Sequence, residues 1–132
     1  MKIIDQELLD NLTEQAKASD RLRMNYDLRT SRNDSSQRML NALEPGTQVP
    51  IHRHQNTTEI VIMLRGSGIQ WIYDEEGNPI DKVLLQAAGP INSMSVDKGE
   101  WHRIESLETG TVIFEAKDGA FEPIAPEDIL NK

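Results

Sequence analysis

Between residues 5 and 18 the apolar side chains fall at Leu8, Leu9, Leu12 and Ala16, three- and four-residue steps that put them on one face of a helix. Asp5 and the acid of the first turn mark its start, so the pattern predicts one amphipathic helix over 5–18. The stretch DRLRMNYDLRTSRNDSS at 20–36 is polar and Arg-rich and sustains neither period, which predicts an arm or loop that is ordered only where it packs on the body. From residue 37 the texture changes to short β-rich or alternating runs: 37–43, 49–54, 58–65, 68–73, 79–86, 92–96, 101–106 and 111–117. Turn signals separate them, EPG at 44–46, RGSG at 65–68, DEEGN at 74–78, AGP at 88–90, DKG at 97–99 and ETG at 108–110. Eight short strands at this spacing predict an all-β sandwich or barrel. The final DGAFEPIAPED segment, with two prolines, reads as an extended tail laid over it.

On one strand the alternation is uneven. If Glu59 faces inward, Val61 and Met63 do too, while Ile60, Ile62 and Leu64 face out. Both faces are then apolar, and the outer one needs cover from the helix, another sheet edge or a second subunit; a homodimer is expected.

Length and composition narrow the picture. A chain of 132 residues fits one structural domain, burying about two-thirds of its unfolded surface. We divide it into a helix and arm at 1–36 and a barrel with its tail at 37–132. There is no cysteine, so disulfides, thiolate metal sites and thiol nucleophiles are excluded and any site chemistry must use nitrogen and oxygen. A formal charge of −8 repels a phosphate backbone, arguing against nucleic acid and anionic membranes as partners. The first twenty residues hold no apolar run of signal-peptide or membrane-spanning length, and a cytoplasmic protein is expected.

The three histidines then stand out. His52 and His54 lie two apart on a predicted strand, a spacing that sends both side chains to one face. Glu59 opens the next strand and returns a carboxylate beside them, and His102 enters a distant strand after the DKG turn. Three neutral imidazoles and a carboxylate suit one first-row divalent ion, Zn, Ni, Mn or Fe, and leave coordination positions open.

The string from Gly46 through His52, His54 and Glu59 to Gly66 resembles the first motif of the cupin superfamily at every specified position. Gly99, Glu100, Trp101 and His102 resemble the second, with Asp97 and Ser106 where that family commonly has proline and asparagine. Nearly the whole chain is similar to the WbuC-type cupin metalloproteins, through RLRMNYDLR at 21–29, QRMLNALEPGT at 37–47, IHRH at 51–54, GEWH at 99–102 and FEAKDGAFEP at 114–123. Asp27 and Arg29 depart from that pattern. The resemblance implies an all-β cupin, a double-stranded β-helix or jelly-roll barrel, with an N-terminal α-helix. It also implies one metal ion on His52, His54, Glu59 and His102, and an association with bacterial surface polysaccharide.

Around this centre Glu115 and Arg38 are candidate acid, base or anchoring residues. Arg21, Arg23, Asn25, Met63 and Lys117 are candidate contacts to a small-molecule ligand, arginine's fork suiting carboxylate, phosphate or sugar oxygens. Trp71 and Trp101 read as packing residues and the motif glycines as turn formers. Three functions fit: a metal-dependent enzyme on a small polar or carbohydrate-derived molecule, isomerase- or epimerase-like; an iron-dependent oxygenase; and a metal-assisted binding module without turnover. No nucleotide-binding loop and no GxSxG elbow is present.

Overall fold

A computed structural model describes residues 1–130. Helix α1 spans Gln6–Ala18, and the Asp5 carboxylate caps it by accepting from the Leu8 amide at 2.9 Å. The strands are β1 Arg23–Asp27, β2 Gln37–Leu43, β3 Ile51–His52, β4 Glu59–Arg65 and β5 Ser67–Tyr73. They continue with β6 Pro79–Gln86, β7 Ser93–Val96, β8 Trp101–Ser106, β9 Thr111–Lys117 and β10 Ile129–Leu130, the last preceded by a 3₁₀ turn at Pro126–Asp128. Two antiparallel sheets, ordered β1-β2-β9-β4-β7 and β10-β3-β8-β5-β6, form the jelly-roll barrel that the sequence predicts, with α1 outside it.

Alternation on the central strands divides the interior from the helix-covered face. On β2 and β9, Leu40, Ala42 and Val112 turn outward and are fully buried beneath Leu9, Leu12 and Ala16 of α1. Arg65 pins the helix from the end of β4, donating to Asp10 at 2.7 Å and Thr13 at 3.0 Å. The opposite faces build layers across β2, β9 and β4: Gln37, Lys117 and Glu59; then Met39, Glu115 and Val61; then Asn41, Ile113 and Met63. Leu43, Val61, Met63, Leu85, Ile104 and Ile113 form an apolar plug in this interior. The sheet therefore buries both faces, one against the helix and one inside the barrel. On β4 the outward Ile60 and Leu64 stay exposed.

The structure differs from the sequence expectation at three places. Arg23–Asp27, read as an arm or loop, is an edge strand paired with β2. Its apolar positions number only two, Met24 and Tyr26, which pack toward the helix, while Arg23, Asn25 and Asp27 alternate with them; five residues are too few to reveal that period. Strand β3 ends at His52, so His54 stands in the following loop. The tail returns as β10 along the outer edge of β3, pairing Ile129 with His52. No helix among the described residues is long and apolar enough to cross a membrane.

Candidate metal centre

The three histidines meet inside one end of the barrel. His52 and His102 are register partners on β3 and β8, which sets their ring centroids 4.3 Å apart. His54 reaches the same point from its loop, its ring 5.0 Å from that of His52 and 5.4 Å from that of His102. The loop is held in place by the DKG turn: the Gly99 amide donates to the His54 carbonyl at 2.9 Å, and Gly99 supplies the positive φ of +81° that the turn needs. One nitrogen from each ring lies within 4.8 Å of the others. Glu59, at the first position of β4, closes the group, with Oε2 at 3.2 Å from His54 Nε2 and 3.6 Å from His102 Nε2.

The polar partners orient these rings. His52 Nδ1 lies 2.8 Å from the Pro50 carbonyl oxygen and His102 Nδ1 lies 2.8 Å from the Glu100 carbonyl oxygen. A carbonyl only accepts, so each Nδ1 carries the proton and each Nε2 presents its lone pair, the outer-shell arrangement of metal-bound imidazoles. The buried Nε2 atoms of His54 and His102 lack hydrogen-bond partners of good geometry. Orphaned buried nitrogens are rare in folded proteins. A divalent ion satisfies them, and the N₃O donor set suits a borderline transition metal, so the residues present fit such an ion.

Electrostatics favour a neutral His52 and an ionised Glu59, whereas His102 is drawn toward its protonated form by that carboxylate. Burial, reinforced by His102 and His54, pushes His52 down to about 3. For Glu59 burial works upward, but the neighbouring His102 and His54 outweigh it and hold the carboxyl well below its ordinary range. His102 feels burial pulling its pKa down and Glu59 pushing it up more strongly, ending above the usual imidazole value.

A cavity of about 230 Å³ opens over the cluster. Of the residues singled out from sequence, Arg23, Asn25, Glu115 and Lys117 line it with the four candidate ligands. Burial, then the charge of Glu59, pushes the Glu115 carboxyl up to about 7. Three others lie elsewhere. Arg38 alternates to the outer face of β2 and pairs with Asp34 at 2.8 Å, Met63 is 3% exposed in the apolar plug, and Arg21 is exposed away from the cavity. Sequence reasoning did not single out Gln37, Asn41 and Gln70, which line the cavity as carboxamides, nor Phe121 and Ile124 of the tail. Their signal was present as polar residues at inward positions of β2 and β5. Trp101 is buried, with the Arg53 guanidinium 4.5 Å from its ring centroid, and Arg53 also binds Asp128 at 2.8 Å, tying the tail beside His54. Trp71 donates from Nε1 to Glu105 at 3.1 Å.

A family model described as "Domain of unknown function (DUF6016)" matches residues 4–85. No curated protein matches the chain. Among solved structures it is similar to the capsular polysaccharide assembling protein CapF from Staphylococcus aureus, at 19% identity and a TM-score of 0.66 over 80% of this chain and 29% of that one. KdgF from Halomonas sp. is matched at 14% identity and a TM-score of 0.58, over 76% of this chain and 82% of that one. Oxalate oxidase in complex with glycolate is matched at 15% and 0.66, over 82% and 56%. The chain thus spans about three-tenths of the CapF structure it resembles. These likenesses establish the cupin fold.

Proposed function

The chain belongs to the DUF6016 family of domains of unknown function, and from that premise we propose that it is a metal-binding cupin in which His52, His54, Glu59 and His102 hold one divalent ion. The observation that carries this reading is the pair of buried, unpartnered Nε2 atoms turned toward the Glu59 carboxylate, with the Nδ1 of His102 held by a backbone carbonyl. A bound ion of this kind supplies Lewis acidity toward a carbonyl or hydroxyl oxygen at its open positions.

The chain's own residues do the rest. Glu115, half-buried and with its pKa raised to about 7, can hold or release a proton at its carboxyl oxygen near neutral pH. Asn41, Gln37 and Gln70 offer both donors and acceptors to ligand hydroxyls, while Phe121 and Ile124 of the tail add apolar surface to the lining. The ligand class is a small polar or carbohydrate-derived molecule. Support comes from the polar lining, from the described role of S. aureus CapF in capsular polysaccharide assembly, and from the residues shared with WbuC-type cupins. An iron-dependent oxygenase is the second reading, resting on the N₃O donor set, which suits iron as well as other first-row divalent ions and leaves coordination positions open. Exposed Ile60 and Leu64 on the outer face of β4 support homodimerisation, which sedimentation velocity tests.

Elemental analysis of natively purified protein tests the site. About one equivalent of metal is expected, and His52→Ala and His102→Ala should each lose most of it; full metal content in both variants overturns the assignment. Iron with metal-dependent oxygen uptake selects the oxygenase, whereas zinc, nickel or manganese without oxygen consumption rejects it.

A further inference from the structure

The three imidazoles of the cluster are not held alike. His52 and His102 stand on paired strands, and each has a backbone carbonyl at its Nδ1, that of Pro50 and that of Glu100. His54 stands in the loop after β3, with no hydrogen-bond acceptor at its Nδ1 among the described residues. Metal-bound imidazoles are normally oriented by an acceptor on the second nitrogen, so His54 must be oriented through its own chain. One backbone bond does this directly, from the Gly99 amide to the His54 carbonyl at 2.9 Å. The rest comes from its two neighbours.

Arg53 and Gln55 flank His54, and both bind one oxygen of the tail. Arg53 Nε donates to Asp128 Oδ1 at 2.8 Å, and Gln55 Nε2 donates to the same Oδ1 at 2.6 Å. The Arg53 amide also donates to the Asp128 carbonyl at 3.0 Å, so the backbone and side chain of one tail residue hold both sides of the ligand. Arg53 continues over the Trp101 ring, 4.5 Å from its centroid, and Trp101 immediately precedes His102. Asp128 is itself set by the 3₁₀ turn, its amide donating to the Ala125 carbonyl at 2.9 Å, and by β10, where Ile129 pairs with His52. Arg53 holds the Asp128 carboxyl below its ordinary range, so these bonds are charge-assisted at neutral pH. At the other end of the segment the Gly119 carbonyl accepts from the Gln37 amide at 3.0 Å. Between the two anchors, residues 120–124 make no backbone hydrogen bond among the described residues, and Phe121 and Ile124 line the metal cavity.

We propose that Asp128 is a positioning residue for His54, and that metal binding and docking of the tail at 120–130 form one coupled equilibrium. The ion fixes the loop at 53–55 on which Asp128 closes, and Asp128 fixes the loop that presents His54. Such a coupling is reciprocal by thermodynamic necessity. It rests on the metal-binding reading of the four ligands. Its consequence is that the wall carrying Phe121 and Ile124 is tighter in the loaded protein than in the metal-free one, although no tail residue is among those ligands.

Two measurements on protein first freed of metal by chelation and dialysis test it: zinc affinity, by competition with a chromophoric chelator, and hydrogen-exchange mass spectrometry of residues 125–130. Asp128→Ala should weaken zinc binding by about tenfold or more, and Asp128→Asn, which keeps an acceptor oxygen, should recover most of the loss. The visible spectrum of the cobalt-loaded protein should change in Asp128→Ala and return toward the parent's in Asp128→Asn, a signature that loss of tail stability alone would not give. Reciprocally, zinc should slow exchange across 125–130 in the parent by a comparable factor and leave it nearly unchanged in Asp128→Ala. Circular dichroism checks folding; if Asp128→Ala does not fold, the exposed Gln55→Ala carries the affinity and cobalt arms, with a loss of about threefold expected. A parent that takes up no zinc removes the metal reading and the coupling with it. Zinc bound by the folded variant as tightly as by the parent, an unchanged cobalt spectrum, or tail exchange in the parent indifferent to zinc overturns the coupling and leaves the metal reading standing.

Discussion

Loading the site with metal should expel a proton, and the structure says from where. His102 Nδ1 faces the Glu100 carbonyl at 2.8 Å and must carry a hydrogen to make that bond, so any second proton goes to Nε2, 3.6 Å from Glu59 Oε2. Burial opposes the resulting imidazolium, but Glu59 stabilises it by more and sets the pKa above 6.5. The metal-free site therefore holds a proton on His102 more readily than an ordinary imidazole does, and coordination must displace it. His52, pushed down to about 3, contributes none at pH 6.5. Glu115, raised to about 7, is about three-quarters protonated at pH 6.5 and adds a second release if the ion's charge lowers it. The Glu115→Gln protein isolates the first contribution.

Zinc chloride titrated calorimetrically into metal-free Glu115→Gln protein at pH 6.5, in buffers of different ionisation enthalpy, should give a slope corresponding to net proton release. Raising the pH through the His102 pKa should shrink the slope. Adding Glu59→Gln should take it toward zero, because burial then acts on His102 against the Glu100 carbonyl alone, and should also weaken zinc binding. A slope of zero at pH 6.5 with Glu59 intact refutes the reasoning about how carboxylate and imidazole share the site.

The same groups predict how the metal-free protein responds to alkali. His102 and Glu115 have folded pKa values above their ordinary ones, so the native state binds the extra protons. Their stabilisation is complete below the unfolded values and is lost as the pH rises through the folded ones. Thermal melts should show metal-free stability falling as the pH rises above about 6.5, where His52 no longer opposes the trend, less steeply in Glu115→Gln; a melting temperature that rises from there contradicts the assignment. Gly66→Ala should destabilise by about 3 kcal/mol or more, since φ is +86° and a Cβ would come within 2.4 Å of Thr111 Oγ1 and 2.8 Å of Thr111 Cα. Gly99→Ala, at φ +81° with nothing within 4 Å, should cost only about 1 kcal/mol, and equal urea midpoints for the two would remove the close-approach argument. Arg53→Ala breaks the 2.8 Å pair with Asp128 and the contact over Trp101. It should cost roughly 1–2 kcal/mol and speed amide exchange across residues 125–130, which hydrogen-exchange mass spectrometry reads directly.

Much of this architecture is legible in sequence because it is encoded locally. The helix and the eight strands from β2 to β9 follow from side-chain period and from turn residues with positive φ, such as Gly66 and Gly99. What escaped depends on contacts distant in sequence. Strand β1 exists because β2 offers a hydrogen-bonding edge and α1 covers Met24 and Tyr26. The two residues of β10 form a strand only through β3. For the site, the spacing read from sequence puts His52 and His54 on one strand, whereas sheet pairing sets His52 in register with His102 and His54 enters from a loop whose position depends on the Gly99 amide. Glu115 and Arg38 lie on neighbouring strands and looked equivalent in sequence. Alternation within the folded sheet sends the first into the cavity and the second to Asp34.

A barrel this small can hold so polar an interior because its first sheet buries apolar surface on the other side. Leu40, Ala42 and Val112 pack under the helix, while their immediate neighbours Asn41 and Ile113 face inward. Moving inward along β4 from Met63 through Val61 to Glu59, the lining changes from apolar plug to carboxylate. Only the last layer carries Glu59, Gln37 and Lys117. The helix thus supplies cohesion that the polar end forgoes. That end contains a buried carboxylate and two buried nitrogens without hydrogen-bond partners, an arrangement costly in an empty pocket. A divalent ion answers both, so the cohesion supplied under the helix and the metal at the polar end stabilise the same barrel from its two faces.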